Sequence, residues 1–265
     1  MLCSECRTNN ATTGEGLCDT CAVARANTAL PHLKPVAEPA ARLRSPVGLS
    51  KAVVALLSFV IAIDVFQVVA SVHLSSLMDQ LRSDGVERLG DADTELSDVL
   101  MDAVGGLEFV AFVATVVVFI VWFHRVRSNA DVLAPDLQRR GRGWAIGGWF
   151  IPFGNLYIPR GIAVDVWAAS RPDPYAAKSQ QPHTVINFWW AAWLVSQVVD
   201  AVAGSQYEGA ETLDGLKAAA VALIVDGFVD IAAAALAIVV VRRLTRMQQS
   251  RAMGGVQEGA QQIAV

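Results

Sequence analysis

Four cysteines near the start of the chain are the residues whose type and spacing most clearly point to chemistry: Cys3, Cys6, Cys18 and Cys21. The spacing is C-x2-C-x11-C-x2-C, so each pair can present two thiolates to one metal ion, with Gly14 and Gly16 supplying a turn between the pairs. Four thiolates favour a structural Zn²⁺, because a closed tetrahedral site leaves no coordination position for catalysis. The spacing therefore predicts a zinc ribbon over residues 1–26. Disulfides or idle thiols are the alternatives, and a reducing compartment disfavours the disulfides.

Carboxylates inside apolar stretches are the second candidate site: Asp64, Glu108, Asp200, Asp226 and Asp230. A charged group in a bilayer core is costly unless it is paired or hydrated, so each is a candidate functional residue. Asp64 and Asp226 fall near mid-depth, and Asp230 follows Asp226 one turn later on the same helix face. One hypothesis is a carboxylate path for protons or cations centred on these three. The alternative, which we favour, is that the acids are protonated or hydrogen-bonded and hold helices together.

The elements that must position these residues are long apolar blocks. The chain has 265 residues, of which 54% are hydrophobic and only 17% charged, against about 25% charged in a soluble domain. About 20 apolar residues cross the hydrocarbon core as a helix. The pattern predicts an all-α membrane domain over residues 49–246 with four spans, at about 49–72, 105–124, 185–204 and 217–241. Residues 27–48 are proline-rich and predict a flexible linker, and the polar stretch 247–265 predicts a disordered tail.

The charges predict an orientation. The loop 78–103 carries eight acidic residues against Arg82 and Arg88, and the loop 205–216 carries three acidic and no basic residues. Arginines and a lysine collect on the other side of the predicted bundle: Arg42, Arg44, Lys51, Arg125, Arg127, Arg139, Arg140, Arg142, Arg242, Arg243, Arg246 and Arg251. By the positive-inside rule both termini are cytoplasmic and the protein lies in the plasma membrane. Five spans are the alternative, which would place the last four arginines outside the cell.

A fifth apolar stretch, 144–170, is interrupted by glycines and prolines. An even number of spans requires it to enter and leave on the cytoplasmic side, so we expect a re-entrant or interfacial segment. Asn155, Arg160 and Asp165 are its polar members and form a candidate inner-face site, in which Arg160 could reach Asp230. The favoured alternative is an interfacial helix whose Arg160 extends to lipid phosphate while Trp149 and Trp167 anchor it among the headgroups.

The same region carries a family resemblance. Residues 122–172 read WFHRVRSNADVLAPDLQRRGRGWAIGGWFIPFGNLYIPRGIAVDVWAASRP. This sequence resembles the signature of a bacterial membrane family, the domain of unknown function 4328, found mainly in actinobacteria. The resemblance extends over about residues 50–245. It implies a multi-pass membrane protein, often with an N-terminal extension such as a zinc ribbon, and it implies no established activity.

Signals for enzymatic activity are weak, since the sequence contains no HExxH, GxSxG or P-loop motif. The ribbon region has Arg7 and Arg25 against three acidic residues, so we expect no nucleic-acid partner. We expect a non-enzymatic membrane scaffold or sensor whose cytoplasmic zinc ribbon docks a protein partner, embedded in the lipid bilayer. The alternative function is a small transporter or channel for protons or cations. The identity of the partner and the oligomeric state stay open.

Overall fold

The computed structural model describes residues 2–12, 15–22, 43–84, 91–175 and 182–263. They belong to two compact units, Met1–Arg42 and Leu43–Val265. In the first unit an antiparallel bridge joins Leu2 and Asn10, and a helical turn covers residues 19–22. The predicted linker lies outside the described residues up to residue 42.

The second unit is helical in every regular element that the structure describes. The helices are α1 (Val47–Asp84), α2 (Asp91–Leu133), α3 (Trp144–Gly147), α4 (Ile158–Ala169), α5 (Thr184–Glu208) and α6 (Leu213–Ile263), with 3-10 turns at Pro135–Leu137 and Gly154–Leu156. Among the described residues, stretches of α1, α2, α5 and α6 are long and apolar enough to cross a membrane. They are Val47–Ser76, Gly106–Leu133, Thr184–Glu208 and Leu213–Gly254. The predicted all-α membrane protein with four spanning helices is confirmed.

Helix α6 forms the centre of the packing, because α1 and α5 both pack extensively against it, and α2 packs mainly on α1. A glycine permits close approach of α1 and α6. A Cβ atom at Gly227 would lie 2.5 Å from Cγ2 of Val68 and 3.4 Å from the backbone oxygen of Asp64. Small residues serve this purpose in membrane bundles, where close packing replaces the hydrophobic effect between helices. Large apolar side chains such as Phe66, Phe109 and Phe228 are exposed on the outer surface, as lipid-facing residues are.

The segment between α2 and α5 is folded into short pieces. Helix α4 has 12 residues, a length of about 18 Å, whereas crossing the hydrocarbon core needs about 30 Å. Before α4 the chain bends at Phe153, whose φ of 59° is in the left-handed region, and a 3-10 turn follows. The segment is therefore too short and too bent to form a span.

Two expectations about this end of the protein are wrong. Trp149 and Trp167 do not project as headgroup anchors: Trp167 is buried in the core, and Trp149 packs its ring against Phe119 and Trp193.

The predicted disordered tail is helical, since α6 continues to Ile263. Its extension is held in place because Gln248 is buried against the ends of other elements.

Candidate functional site

The four cysteines converge in the first unit. Their Sγ atoms all lie within 4.8 Å of one another, and those of Cys6 and Cys18 are 3.7 Å apart. All four thiols are free, and Cys3 and Cys18 are buried beside Leu17. The four side chains are thus close enough to hold one metal ion together.

Two residues with positive φ bring the cysteine pairs face to face. Arg7 (φ 56°) follows the first pair directly, and Gly16 (φ 73°) precedes the second. The backbone N–H of Arg7 donates to the Cys3 carbonyl at 3.0 Å, and that of Ser4 donates to the Gly16 carbonyl at 3.0 Å. Gly16 is the residue type that adopts this conformation without steric cost.

Hydrogen bonds around the sulfurs favour thiolates at two of the four positions. The backbone N–H of Cys6 is the main group that lowers the pKa of the Cys3 thiol. The Thr8 hydroxyl is the main group that lowers the pKa of Cys6, to about 5. A hydrogen bond shared with Cys18 raises the pKa of Cys21 to about 12, because neighbouring sulfurs cannot all ionise without a cation. This donor set suits a divalent ion that prefers sulfur ligands.

The second unit has a polar network at the end where α1 and α5 begin and α2 ends, which we call the basic end. Arg127 is buried; it donates to the Asp131 carboxylate and to the backbone carbonyl of Arg140. Asp131 also accepts from Arg142. The buried guanidinium thereby obtains a counter-charge and ties the end of α2 to the segment that follows it.

A network of uncharged side chains continues from this cluster, and no pattern in the sequence predicts it. The Gln248 amide donates to the Val126 carbonyl at 2.8 Å and to the Ser170 hydroxyl at 3.2 Å. It accepts at 2.9 Å from Asn129, whose amide also donates to the Arg44 carbonyl. These bonds join the start of α1, the end of α2, the end of α4 and the extension of α6.

The three residues of the predicted inner-face site, Asn155, Arg160 and Asp165, each bond to a different partner. The Arg139 guanidinium donates to Asp165 at 2.9 Å, and this hydrogen bond raises the pKa of Arg139. Arg160 donates to the Asn187 side-chain oxygen at 2.6 Å instead of reaching Asp230. Asn155 is half-buried at the 3-10 turn, where its backbone N–H donates to the Ile151 carbonyl. The three residues therefore do not converge on one ligand position.

The intramembrane acids also occupy different surroundings. Asp64 on α1 and Asp226 on α6 are buried, and one carboxylate oxygen of each has no hydrogen-bond partner among the described residues. Glu108 is half-buried and Asp200 is exposed. None of the five acids forms an ion pair with a lysine or arginine in the described part of the chain.

A cavity of about 320 Å³ lies between α2 and α5, and Asp230 is the one of the five acids that lines it. Residues of α1 and α6 also line it, as do Trp149 and Phe150 of the segment between α2 and α5. Its lining is otherwise apolar apart from the polar groups of Thr115, Ser196, Gln197 and the indoles.

Comparison with known protein families identifies the helical region of the chain. The family model described as "Domain of unknown function (DUF4328)" matches residues 87–246, more than half of the chain. The chain belongs to the DUF4328 family. No curated protein and no solved structure matches it.

The DUF4328 match includes the Arg127–Asp131 pair, the short helices α3 and α4, and the part of the cavity formed by α2, α5 and α6. The cysteine cluster and α1 precede the match, and Gln248 follows it. The cysteine cluster therefore lies outside the region that matches the DUF4328 family.

Proposed function

We propose that this DUF4328 protein is a non-enzymatic membrane scaffold or sensor whose N-terminal unit binds zinc and docks a cytoplasmic protein. The observation that carries the proposal is the convergence of four Sγ atoms within 4.8 Å in a unit separate from the membrane bundle. A four-thiolate Zn²⁺ site has no open position for a substrate, so its contribution is to fold the unit that presents the surrounding side chains.

In the proposed orientation the protein lies in the plasma membrane with its basic end on the cytoplasmic side. Arginines of α2, α6 and the intervening segment gather at this end, whereas Asp79, Glu208 and Glu211 belong to the opposite end. Cytoplasmic flanks of spanning helices carry an excess of arginine and lysine, which supports cytoplasmic termini.

The placement of the acids supports a structural role over a transport path. Asp64 and Asp226 are packed at the α1–α6 contact beside Gly227, and neither lines the cavity that contains Asp230. A path for ions needs hydrated neighbours, whereas these two carboxylates are suited to interhelical hydrogen bonding.

The test is proximity crosslinking in cells from a photoreactive group placed at the exposed Asn10, near the cysteine cluster. We compare the natural chain with Cys3→Ser/Cys18→Ser and with the matched control Ser4→Ala, which leaves all four thiols in place. Zinc content is measured on the same purified proteins.

The proposal expects one zinc per natural chain and a defined crosslinked cytoplasmic protein. Both are lost in the double cysteine variant and kept in Ser4→Ala. Identical crosslinked products in the presence and absence of zinc would contradict docking through the ribbon. An absence of zinc from the natural protein would contradict the metal site itself.

A further inference from the structure

We propose that the cavity between α2 and α5 binds a hydrophobic organic cation, meaning a positively charged centre surrounded by apolar groups. The charge recognition comes from Asp230 and the aromatic side chains of the lining. This binding site is independent of the zinc ribbon and goes beyond the docking function proposed above.

The first observation is the charge of the lining. Asp230 is the only ionisable side chain among the described residues that form the cavity, and it has no lysine or arginine partner in the described part of the chain. Ser196 lies close enough to interact with Asp230, but a hydroxyl does not neutralise a negative charge. An unpaired carboxylate at membrane depth is unfavourable, so a cationic ligand would supply the missing partner.

The second observation is the aromatic character of the walls. Six aromatic side chains line the cavity: Phe112, Phe119, Trp149, Phe150, Trp189 and Trp193. The Trp149 ring is held edge-on to those of Phe119 and Trp193, with centroids 5.8 Å apart in both pairs. Aromatic faces attract cations, tryptophan most strongly, and aromatic cages are a known means of recognising quaternary ammonium groups.

The third observation is access and size. Phe112 and Phe150 of the lining are exposed, so the cavity is open to the outer surface of the bundle. Ala233, Ala234 and Ala237 follow Asp230 along α6 in the lining, and their small side chains take up little of the space. A volume of about 320 Å³ is in the range of pockets for small molecules. A free lysine or a metal ion would keep its water shell, whereas a cation with apolar substituents enters such a lining without that cost.

The test measures binding of radiolabelled tetraphenylphosphonium to the full chain in nanodiscs of phosphatidylcholine, with empty nanodiscs subtracted. Tetraphenylborate has the same shape and the opposite charge, and it is used as competitor. The variants are Asp230→Asn, which conserves volume, and Trp193→Leu. The matched control is Glu208→Gln, an exposed acid at the end of α5 outside the cavity lining.

We expect saturable binding of one phosphonium per chain, with an affinity at least tenfold weaker in Asp230→Asn and at least threefold weaker in Trp193→Leu. Glu208→Gln should bind within twofold of the natural chain, and tetraphenylborate should not compete. Binding without saturation, or equal competition by the borate, would overturn the proposal with the natural protein alone. Unchanged affinity in a folded Asp230→Asn protein would overturn it as well.

Discussion

Asp131 serves two arginines that differ in their exposure to solvent. The Arg127 side chain is 3% exposed and the Arg142 side chain is 56% exposed, and both donate to this carboxylate. The two ion pairs should therefore contribute very differently to the free energy of unfolding. A buried charge that loses its partner is strongly destabilising, whereas an exposed pair contributes little.

Replacement of Asp131 by Asn should lower the free energy of unfolding by about 3 kcal/mol, because it leaves the Arg127 guanidinium buried without a counter-charge. Arg142→Gln should cost less than about 1 kcal/mol, since it removes only the exposed member. Unfolding by detergent titration measures both values. Equal losses in the two variants would show that burial does not control this network.

Functional residues that lie close together in the sequence could be recognised from the sequence alone. Residues whose partners are distant in the sequence could not. The spacing of the two CxxC pairs identifies the cysteines as candidate metal ligands, and their Sγ atoms all lie within 4.8 Å of one another. Gln248 and Asn129 are 119 positions apart, and each is an ordinary polar residue until helix packing brings them together. Arg160 was recognised as important, but its partner Asn187 could not be, because that contact depends on how α4 lies against α5.

Helix α6 shows what hydropathy can and cannot predict about an element. Its apolar part predicted a span, because a continuous run of apolar residues needs no knowledge of partners. Its polar extension was wrongly predicted to be disordered, because the bonds of Gln248 and Arg251 to other elements are absent from composition. The broken segment 144–170 was correctly separated from the spans, since its glycines and prolines act locally.

The α1–α6 contact should depend on the absence of a side chain at Gly227. Gly227→Ala should destabilise the bundle by about 1–3 kcal/mol, because the new Cβ would overlap Val68 and force the helices apart. Detergent titration again provides the measurement.

Two further variants make this test specific. Gly204→Ala on α5 meets no atom within 4 Å, so it should be neutral or slightly stabilising. Adding Val68→Ala to Gly227→Ala should recover most of the loss, since it removes the overlapping methyl groups. A loss of the same size in Gly204→Ala would mean that the overlap with Val68 is not the cause of the destabilisation.

At the scale of the whole molecule, the two units differ in what stabilises them. Among the residues of unit Met1–Arg42 that the structure describes, the buried core consists of Cys3, Leu17 and Cys18, whereas unit Leu43–Val265 has an extensive one. So few buried side chains give little stability by burial, and a metal ion is the usual means by which such small units fold.

Removal of metal by a chelator should therefore unfold the first unit and spare the second. We expect new tryptic cleavage after Arg7, while the midpoint of thermal unfolding followed by tryptophan fluorescence shifts by less than about 2 °C. All seven tryptophans lie between residues 122 and 193, so the fluorescence reports the second unit alone. Cys3→Ser/Cys18→Ser should be cleaved with or without chelator. A large shift of the midpoint would show that the units are energetically coupled.

The length of α6 has a mechanical consequence. Its 51 residues extend for about 77 Å, against about 30 Å of hydrocarbon. No break separates its intramembrane part from its extension. A tilt of about 10° in the membrane would thus displace a point about 40 Å further along by about 7 Å. Because Gln248 and Arg251 bond the extension to the ends of α2 and α4, such a tilt would have to move the basic end of the bundle together with the helix.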